Sequence, residues 1–85
     1  MDIEYSPEFK RLFKKLSHEL KLRALEKEKI FRINPLDSRL KTHKLSGKLA
    51  GRWAFSLDFK NRIIFSFLAK KIVRFQAVGT HDIYR

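Results

Sequence analysis

The apolar residues in the first part of the chain recur at helical spacing. They lie three or four positions apart and alternate with lysine and arginine: Phe9, Leu12, Phe13 and Leu16. Ser6 and Pro7 precede this stripe and are typical of a helix start, because serine caps free N–H groups and proline fits the first turn. A second helix is predicted from the capping residue Ser17 to about Ile33, because Pro35 disfavours helical geometry in the residue before it.

Beyond the helices the apolar positions alternate, which is the period of a strand. In the first of these strands every second residue is predicted to face the core: Trp53, Phe55, Leu57 and Phe59. Residues 62–68 are apolar on both sides, as in a central strand covered on both faces. A further strand, 72–78, is predicted to face the core with three residues: Val73, Phe75 and Ala77. Residues 2–5 alternate as well, so the pattern predicts an α+β domain with a short N-terminal strand and a two-helix hairpin packed on a small antiparallel β-sheet.

Composition adds a strong positive charge to this picture. The 85 residues include 20 Lys and Arg against 9 Asp and Glu, a formal net charge of +11, which attracts nucleic acid, an anionic membrane or an acidic protein. Because 44% of the residues are hydrophobic, eight of them Phe, residues 1–85 are predicted to form one folded domain rather than a basic tail. The apolar faces are needed for that core, which disfavours membrane binding.

Several classes of function are excluded or disfavoured by what the chain lacks. Cysteine is absent, so there is no disulfide framework and no thiolate zinc site. No glycine-rich phosphate loop and no spacing of His or carboxylates typical of a metal site are present, so we expect no cofactor and no metal. Neither a signal peptide nor a membrane span is recognisable, and a cytoplasmic location is expected.

Two of the three histidines are candidates for acid–base chemistry, because a histidine pair can supply one base and one acid near neutral pH. His43 lies in a stretch crowded with lysines, and His81 follows a glycine that ends the last predicted strand. The alternatives are an ordinary edge-strand histidine for His43 and a polar tail for His81. His18 lies at the start of an exposed helix, and there a solvated surface residue is the favoured interpretation.

Arg62 opens the most apolar strand, and a guanidinium at that rim can bind a phosphate with two parallel hydrogen bonds. The alternative for Arg62 is an ion pair with Asp58 across the predicted hairpin. Trp53 is predicted to be a core residue rather than a platform for base stacking.

Four segments resemble a known family in order and spacing over nearly the whole chain. They are Ser6-Pro7-x-Phe9, His43-x-Leu45-x-Gly47-x-Leu49-x-Gly51-x-Trp53, Asn61-Arg62-Ile63-Ile64-Phe65 and Val78-Gly79-Thr80-His81-Asp82-x-Tyr84. On these residues the chain resembles the RelE/ParE superfamily of toxins from type II toxin–antitoxin modules, especially the mRNA interferases of the RelE, YafQ and YoeB kind.

The resemblance implies a RelE-like fold and a metal-independent endoribonuclease. Such an enzyme enters the small-subunit decoding site of the ribosome and cuts mRNA by attack of a ribose 2′-OH on the adjacent phosphate. It implies acid–base roles for His43 and His81, stabilisation of the phosphorane charge by Arg62, and a nucleotide-orienting role for Tyr84. Basic residues of the matching segments are implied in RNA binding: Lys41, Lys44, Lys48, Arg52 and Lys60.

The chain departs from the YafQ-like pattern at two positions. Ser56 stands where that pattern has another His, and Lys60 stands where it has an Asp. Two other functions stay open: the ParE branch, which shares the fold but inhibits DNA gyrase, and a non-catalytic basic module that binds nucleic acid. The family also implies a cognate antitoxin whose acidic or amphipathic segment covers the basic surface.

Overall fold

The computed structural model describes residues 1–84, with side chains as far as Ile83. Its helices and strands are, in chain order, β1 (Asp2–Tyr5), α1 (Pro7–Lys14), α2 (His18–Ile33), β2 (His43–Lys44), β3 (Trp53–Ser56), β4 (Arg62–Ala69) and β5 (Ile72–Gly79). Three short 3₁₀ segments complete the described part: η1 (Ser38–Leu40), η2 (Gly47–Leu49) and η3 (His81–Tyr84).

Both helices begin directly after the serines that were predicted to cap them, Ser6 and Ser17. The Ser6 hydroxyl accepts a hydrogen bond from the Phe9 N–H at 2.9 Å, and the Ser17 hydroxyl accepts one from the Leu20 N–H at 3.1 Å. Ser6 Oγ also donates to the Gln76 carbonyl at 2.9 Å, so the same side chain that starts α1 attaches it to β5. The predicted helix boundaries are thus confirmed to within a residue or two.

The five strands form one sheet in the order β1-β5-β4-β3-β2. Strands β3, β4 and β5 pair antiparallel, as predicted, β2 adds a further antiparallel strand, and the predicted α+β class is confirmed. The sheet is nevertheless mixed, because β1 pairs in parallel with β5, from Asp2 opposite Ile72 to Tyr5 opposite Phe75. The helix pair between β1 and the other strands makes this crossover possible.

The two helices cover one face of the sheet and enclose an aromatic core. Phe31 of α2 is fully buried at its centre. Its ring lies 5.0 Å from that of Phe55, 4.9 Å from that of Phe65 and 5.3 Å from that of Phe75. These stacked and edge-on pairs join α2 to three neighbouring strands, β3, β4 and β5.

A second contact ties α2 to β1. The Tyr5 hydroxyl donates a hydrogen bond to Glu28 at 2.6 Å. Burial, and then the Glu28 carboxylate, raises the pKa of Tyr5, so the phenol keeps its proton as a donor. This hydrogen bond fixes the edge strand against the helix.

Three details of the predicted strands are wrong. Phe59 is 84% exposed, because β3 ends at Ser56 and the chain turns before the alternation reaches Phe59. A β-bulge at Gln76 leaves that residue unpaired, so Val78 rather than Ala77 faces the core. Strand β4 is covered on both faces only in its first half, and its later residues Phe67 and Leu68 are exposed.

Candidate active site and nucleic-acid interface

The face of the sheet away from the helices has an apolar floor. Backbone pairing sets His43 of β2, Ala54 of β3, Ile64 of β4 and Ala77 of β5 in one row across the sheet. Side chains of paired residues project to the same face. Ala54 and Ile64 are buried but lie outside the core beneath the helices, so they form the floor of this second face.

Arginines stand around this floor. Arg62 lies in the next row, between Ser56 and Gly79. Arg52 and Arg74 line the same cavity as the floor, which has a volume of about 620 Å³. We call this cavity the open-face cleft; its lining also includes Glu8 and Arg11 of α1 and Asp82 and Ile83 of η3. The guanidinium groups give the open-face cleft the charge and the planar donors that phosphate groups require.

His43 is oriented by the backbone. Its Nδ1 lies 3.0 Å from the Lys41 carbonyl oxygen. A carbonyl only accepts hydrogen bonds, so Nδ1 of the neutral ring carries the proton, and Nε2 is the nitrogen that can accept one. The His43 side chain is exposed. This geometry suits a general base.

Gly79 allows the C-terminal segment to fold back over the face. Its φ is +151°, a conformation that side chains rarely adopt, and a Cβ placed there would lie 2.9 Å from Cγ2 of Ile83. Segment η3 starts two residues later at His81. Strands β2 and β5 are three strand spacings apart, roughly 14 Å. His43 and His81 therefore approach the open face from two different sides, that of β2 and that of β5.

Replacing Gly79 with alanine is expected to lower the free energy of unfolding by about 2–4 kcal/mol, from backbone strain together with the contact with Ile83. Gly51→Ala is the matched control, because Gly51 also has a positive φ, +90°, but nothing lies within 4 Å of its Cβ position. Urea denaturation of both variants and of Gly79→Ala/Ile83→Ala measures the difference. Equal losses in the two single variants would contradict the close approach of η3.

Solved structures of known proteins share this architecture. YafQ from E. coli strain BL21(DE3) is 28% identical, with a TM-score of 0.73 over 98% of this chain and 96% of that chain. The E. coli DinJ–YafQ complex gives 29% identity and a TM-score of 0.69 over 96% and 94%. These solved structures are toxins of toxin–antitoxin systems in the RelE superfamily, and the chain is similar to them over nearly its whole length.

The same fold extends to more distant RelE/ParE structures. The YoeB/ParE toxin from Agrobacterium tumefaciens is 12% identical, with a TM-score of 0.80 over 95% of this chain and 99% of that chain. At this identity the similarity concerns the fold alone. No protein-family model and no curated protein sequence matches the chain.

Some of the residues that carry the RelE/ParE resemblance lie together on the open face of the sheet, and others lie elsewhere. His43, Arg52 and Arg62 share the open face, and His81 stands at its end in η3. The Tyr84 side chain lies outside the described residues. Arg74 and Arg11 also line the open-face cleft and were not predicted to contribute, although the alternation of β5 had set Arg74 apart from the core.

The predicted RNA-binding lysines lie away from the open-face cleft. Lys44 is on the helix side of the sheet, where its Nζ lies 5.4 Å from the centre of the Trp53 ring. Lys48 is exposed in η2, and Lys60 lies in the β3–β4 turn. Lys41 lines a separate cavity beside η1. Lys44 faces the helices although its neighbour His43 lies on the open face, because adjacent residues of a strand point to opposite faces of the sheet.

The described residues contain neither a cluster of metal ligands nor a membrane-spanning helix. Among residues 1–84, no group of three or more His, Asp or Glu side chains is arranged to hold a metal ion. Within the same range, no helix has the length and apolar character needed to cross a bilayer.

Proposed function

We propose that this protein is the toxin of a type II toxin–antitoxin module and acts as a ribosome-dependent endoribonuclease. The observation that carries the proposal is the orientation of His43, whose proton-accepting nitrogen is set by a backbone carbonyl on the face that also holds Arg62. Similarity to YafQ over nearly the whole chain and the charge of +11 support it.

The proposed reaction needs no group beyond the side chains of this face. His43 takes the proton from a ribose 2′-OH, whose oxygen attacks the adjacent phosphorus. Arg62 stabilises the additional negative charge of the phosphorane. The bond from phosphorus to the 5′-oxygen then breaks, and His81 donates a proton to that oxygen, leaving a 2′,3′-cyclic phosphate and a 5′-hydroxyl. In this proposal Tyr84 orients the nucleotide.

The ribosome and mRNA are the proposed partners in cleavage, with the small-subunit decoding site presenting the strand. A cognate antitoxin is the proposed partner in inhibition. YafQ and YoeB have been solved in complex with DinJ and YefM. In this chain an apolar groove of about 360 Å³ lies between α1 and α2, and it is bordered by Lys10 and Lys14. Such a groove suits an amphipathic segment with acidic residues along its edges.

Replacing His43 with glutamine is expected to lower the rate of mRNA cleavage by about 100-fold or more, because the general base is lost. Glutamine keeps a polar side chain of similar length, so the edge strand should stay folded. His18→Gln is the matched control, because His18 is exposed at the start of α2 and away from the sheet. Initial rates on ribosome-bound mRNA, measured for both variants, provide the comparison.

Primer extension on mRNA incubated with the purified protein, with and without ribosomes, tests the function itself. Discrete cuts that need ribosomes and are lost in His43→Gln and His81→Ala are the expected result. Growth inhibition without any cuts would instead favour the ParE-like function, and a DNA supercoiling assay would then decide.

A further inference from the structure

A second basic cavity lies beside the β3–β4 hairpin. It has a volume of about 340 Å³, and we call it the hairpin cavity. Ser56 and Phe59 line this cavity. Its lining also contains four cationic side chains and one carboxylate, which are Arg23, Lys27, Arg39, Lys41 and Asp58. The cations come from α2 and from η1 with the residue after it, so two separate elements direct positive charge to one place.

The nearby carboxylates are already engaged. Partial burial opposes ionisation of Asp58, but hydrogen bonds from Asn61 and Lys60 outweigh it and hold the pKa of Asp58 below its usual value. The Arg39 side chain and N–H hold the pKa of Asp37 at about 2. Lys27 Nζ donates a hydrogen bond to the Arg39 carbonyl at 3.3 Å, and among residues 1–84 it makes no ion pair. Arg39 is paired with Asp37 and Arg23 lies 4.0 Å from Glu19, so Lys27 and Lys41 carry the positive charge that the hairpin cavity can offer to an anion.

An exposed aromatic ring forms one wall of the hairpin cavity. Phe59 is 84% exposed, whereas the phenylalanines of the core are almost fully buried. Asp58 holds the turn that presents the ring by accepting the N–H groups of Lys60 and Asn61, at 2.8 and 2.6 Å. Lys60 Nζ lies 5.6 Å from the ring centre. An exposed ring beside cations is the arrangement with which proteins stack the bases of single-stranded RNA.

The hairpin cavity and the open-face cleft share no lining residue, but one residue of the cavity lies beside Arg62 of the open face. Ser56 lines the cavity, and in the sheet Ser56 is paired with Arg62. Paired residues on adjacent strands lie about 5 Å apart. An RNA strand whose phosphate is held at Arg62 therefore passes close to Ser56, at the border of the hairpin cavity.

We propose that the hairpin cavity binds a nucleotide flanking the one in the open-face cleft, with its base stacked on Phe59 and its phosphate beside Lys27 and Lys41. The choice of RNA as the ligand rests on the proposed function. An acidic peptide would satisfy the cations, but it would leave the Phe59 ring without a stacking partner. The ring is thus the feature that favours RNA over a protein ligand.

Binding of RNA that cannot be cut tests the proposal independently of catalysis. The probes are fluorescent single-stranded 2′-O-methyl oligonucleotides, which lack the attacking hydroxyl, with one abasic site placed at each position in turn. Fluorescence anisotropy gives Kd for the unaltered protein, Phe59→Ala, Phe59→Trp and Lys27→Gln. Lys70→Gln is the matched charge control, because Lys70 is exposed in the turn between β4 and β5.

Phe59→Ala is expected to weaken binding roughly tenfold, and Phe59→Trp to retain it, because both aromatic rings can stack on a base. An abasic site at the position whose base stacks on Phe59 should weaken binding to the unaltered protein. The same abasic site should not weaken binding to Phe59→Ala any further. Lys27→Gln should weaken binding and reduce its salt dependence, while Lys70→Gln should change neither.

The proposal is overturned if Phe59→Ala and Lys27→Gln bind the oligonucleotides like the unaltered protein. The same variants are also titrated with polyglutamate, an acidic polypeptide. If they lose affinity for polyglutamate but not for RNA, the proposal is overturned, because the surface would then be a docking site for acidic protein. An inactive protein that still shows the Phe59-dependent abasic effect would refute the endoribonuclease and leave the hairpin cavity as an RNA site.

Discussion

Replacing Arg62 with alanine is expected to lower the rate of RNA cleavage by about 10²–10³-fold. Arg62 is half-buried on the open face, in the row next to the apolar floor that ends at His43. A positioned donor that meets the developing charge of the phosphorane typically contributes that much to the rate. Arg62→Lys keeps the charge and loses the planar pair of donors, so an intermediate rate is expected.

The measurement is the single-turnover rate on ribosome-bound mRNA for both Arg62 variants and for Lys70→Gln, which removes a positive charge far from the open-face cleft. Circular dichroism and urea denaturation show whether each variant is folded. A folded Arg62→Ala protein that cleaves at the unaltered rate would remove Arg62 from the proposed site. Equal losses of cleavage rate in Arg62→Ala and Lys70→Gln would show that Arg62 contributes only a general electrostatic attraction for RNA.

Replacing Phe31 with alanine is expected to lower the free energy of unfolding by about 3–5 kcal/mol, which is a large part of the total stability of a small domain. The Phe31 ring is fully buried and contacts the rings of Phe55, Phe65 and Phe75 at centroid distances of 5.0, 4.9 and 5.3 Å. Its loss leaves a cavity between α2 and three strands, and the backbone around it can close only in part.

Phe59→Ala is the control for this measurement, because the same side chain is deleted at a position that is 84% exposed. Its free energy of unfolding is expected to change by less than about 0.5 kcal/mol. Urea denaturation of the two variants gives both values. Similar losses at Phe31 and Phe59 would contradict the aromatic core and would also show that Phe59 has a structural role.

The local structure of this protein could be predicted from its sequence because it depends on neighbours in the chain. Ser6 and Ser17 mark the starts of the helices because a serine hydroxyl reaches N–H groups two or three residues ahead. The antiparallel strands were predictable from alternation for the same reason. The parallel pairing of β1 with β5 was not, because nothing in residues 2–5 specifies a distant partner.

The bulge at Gln76 shows the limit of alternation. One unpaired residue reverses the facing of all that follow it in β5, so the sequence predicted Ala77 in the core where the structure has Val78. At the candidate site, His43 and Arg62 could be selected from the sequence by residue type and motif. The hairpin cavity could not, because its cations come from α2 and the η1 region and meet Phe59 only in the folded chain.

The parallel pair at the edge of the sheet governs when the domain can form. The hydrogen bond from Ser6 to Gln76 closes a loop of 70 residues, and β1 is aligned only when residues 72–75 are present beside it. Contacts this remote in the chain slow folding, because the entropy of loop closure is lost before the contacts stabilise the fold. During synthesis the helical hairpin can form early, but β1 must wait for β5. The sheet that carries the open-face cleft is therefore completed only after β5 has been synthesised.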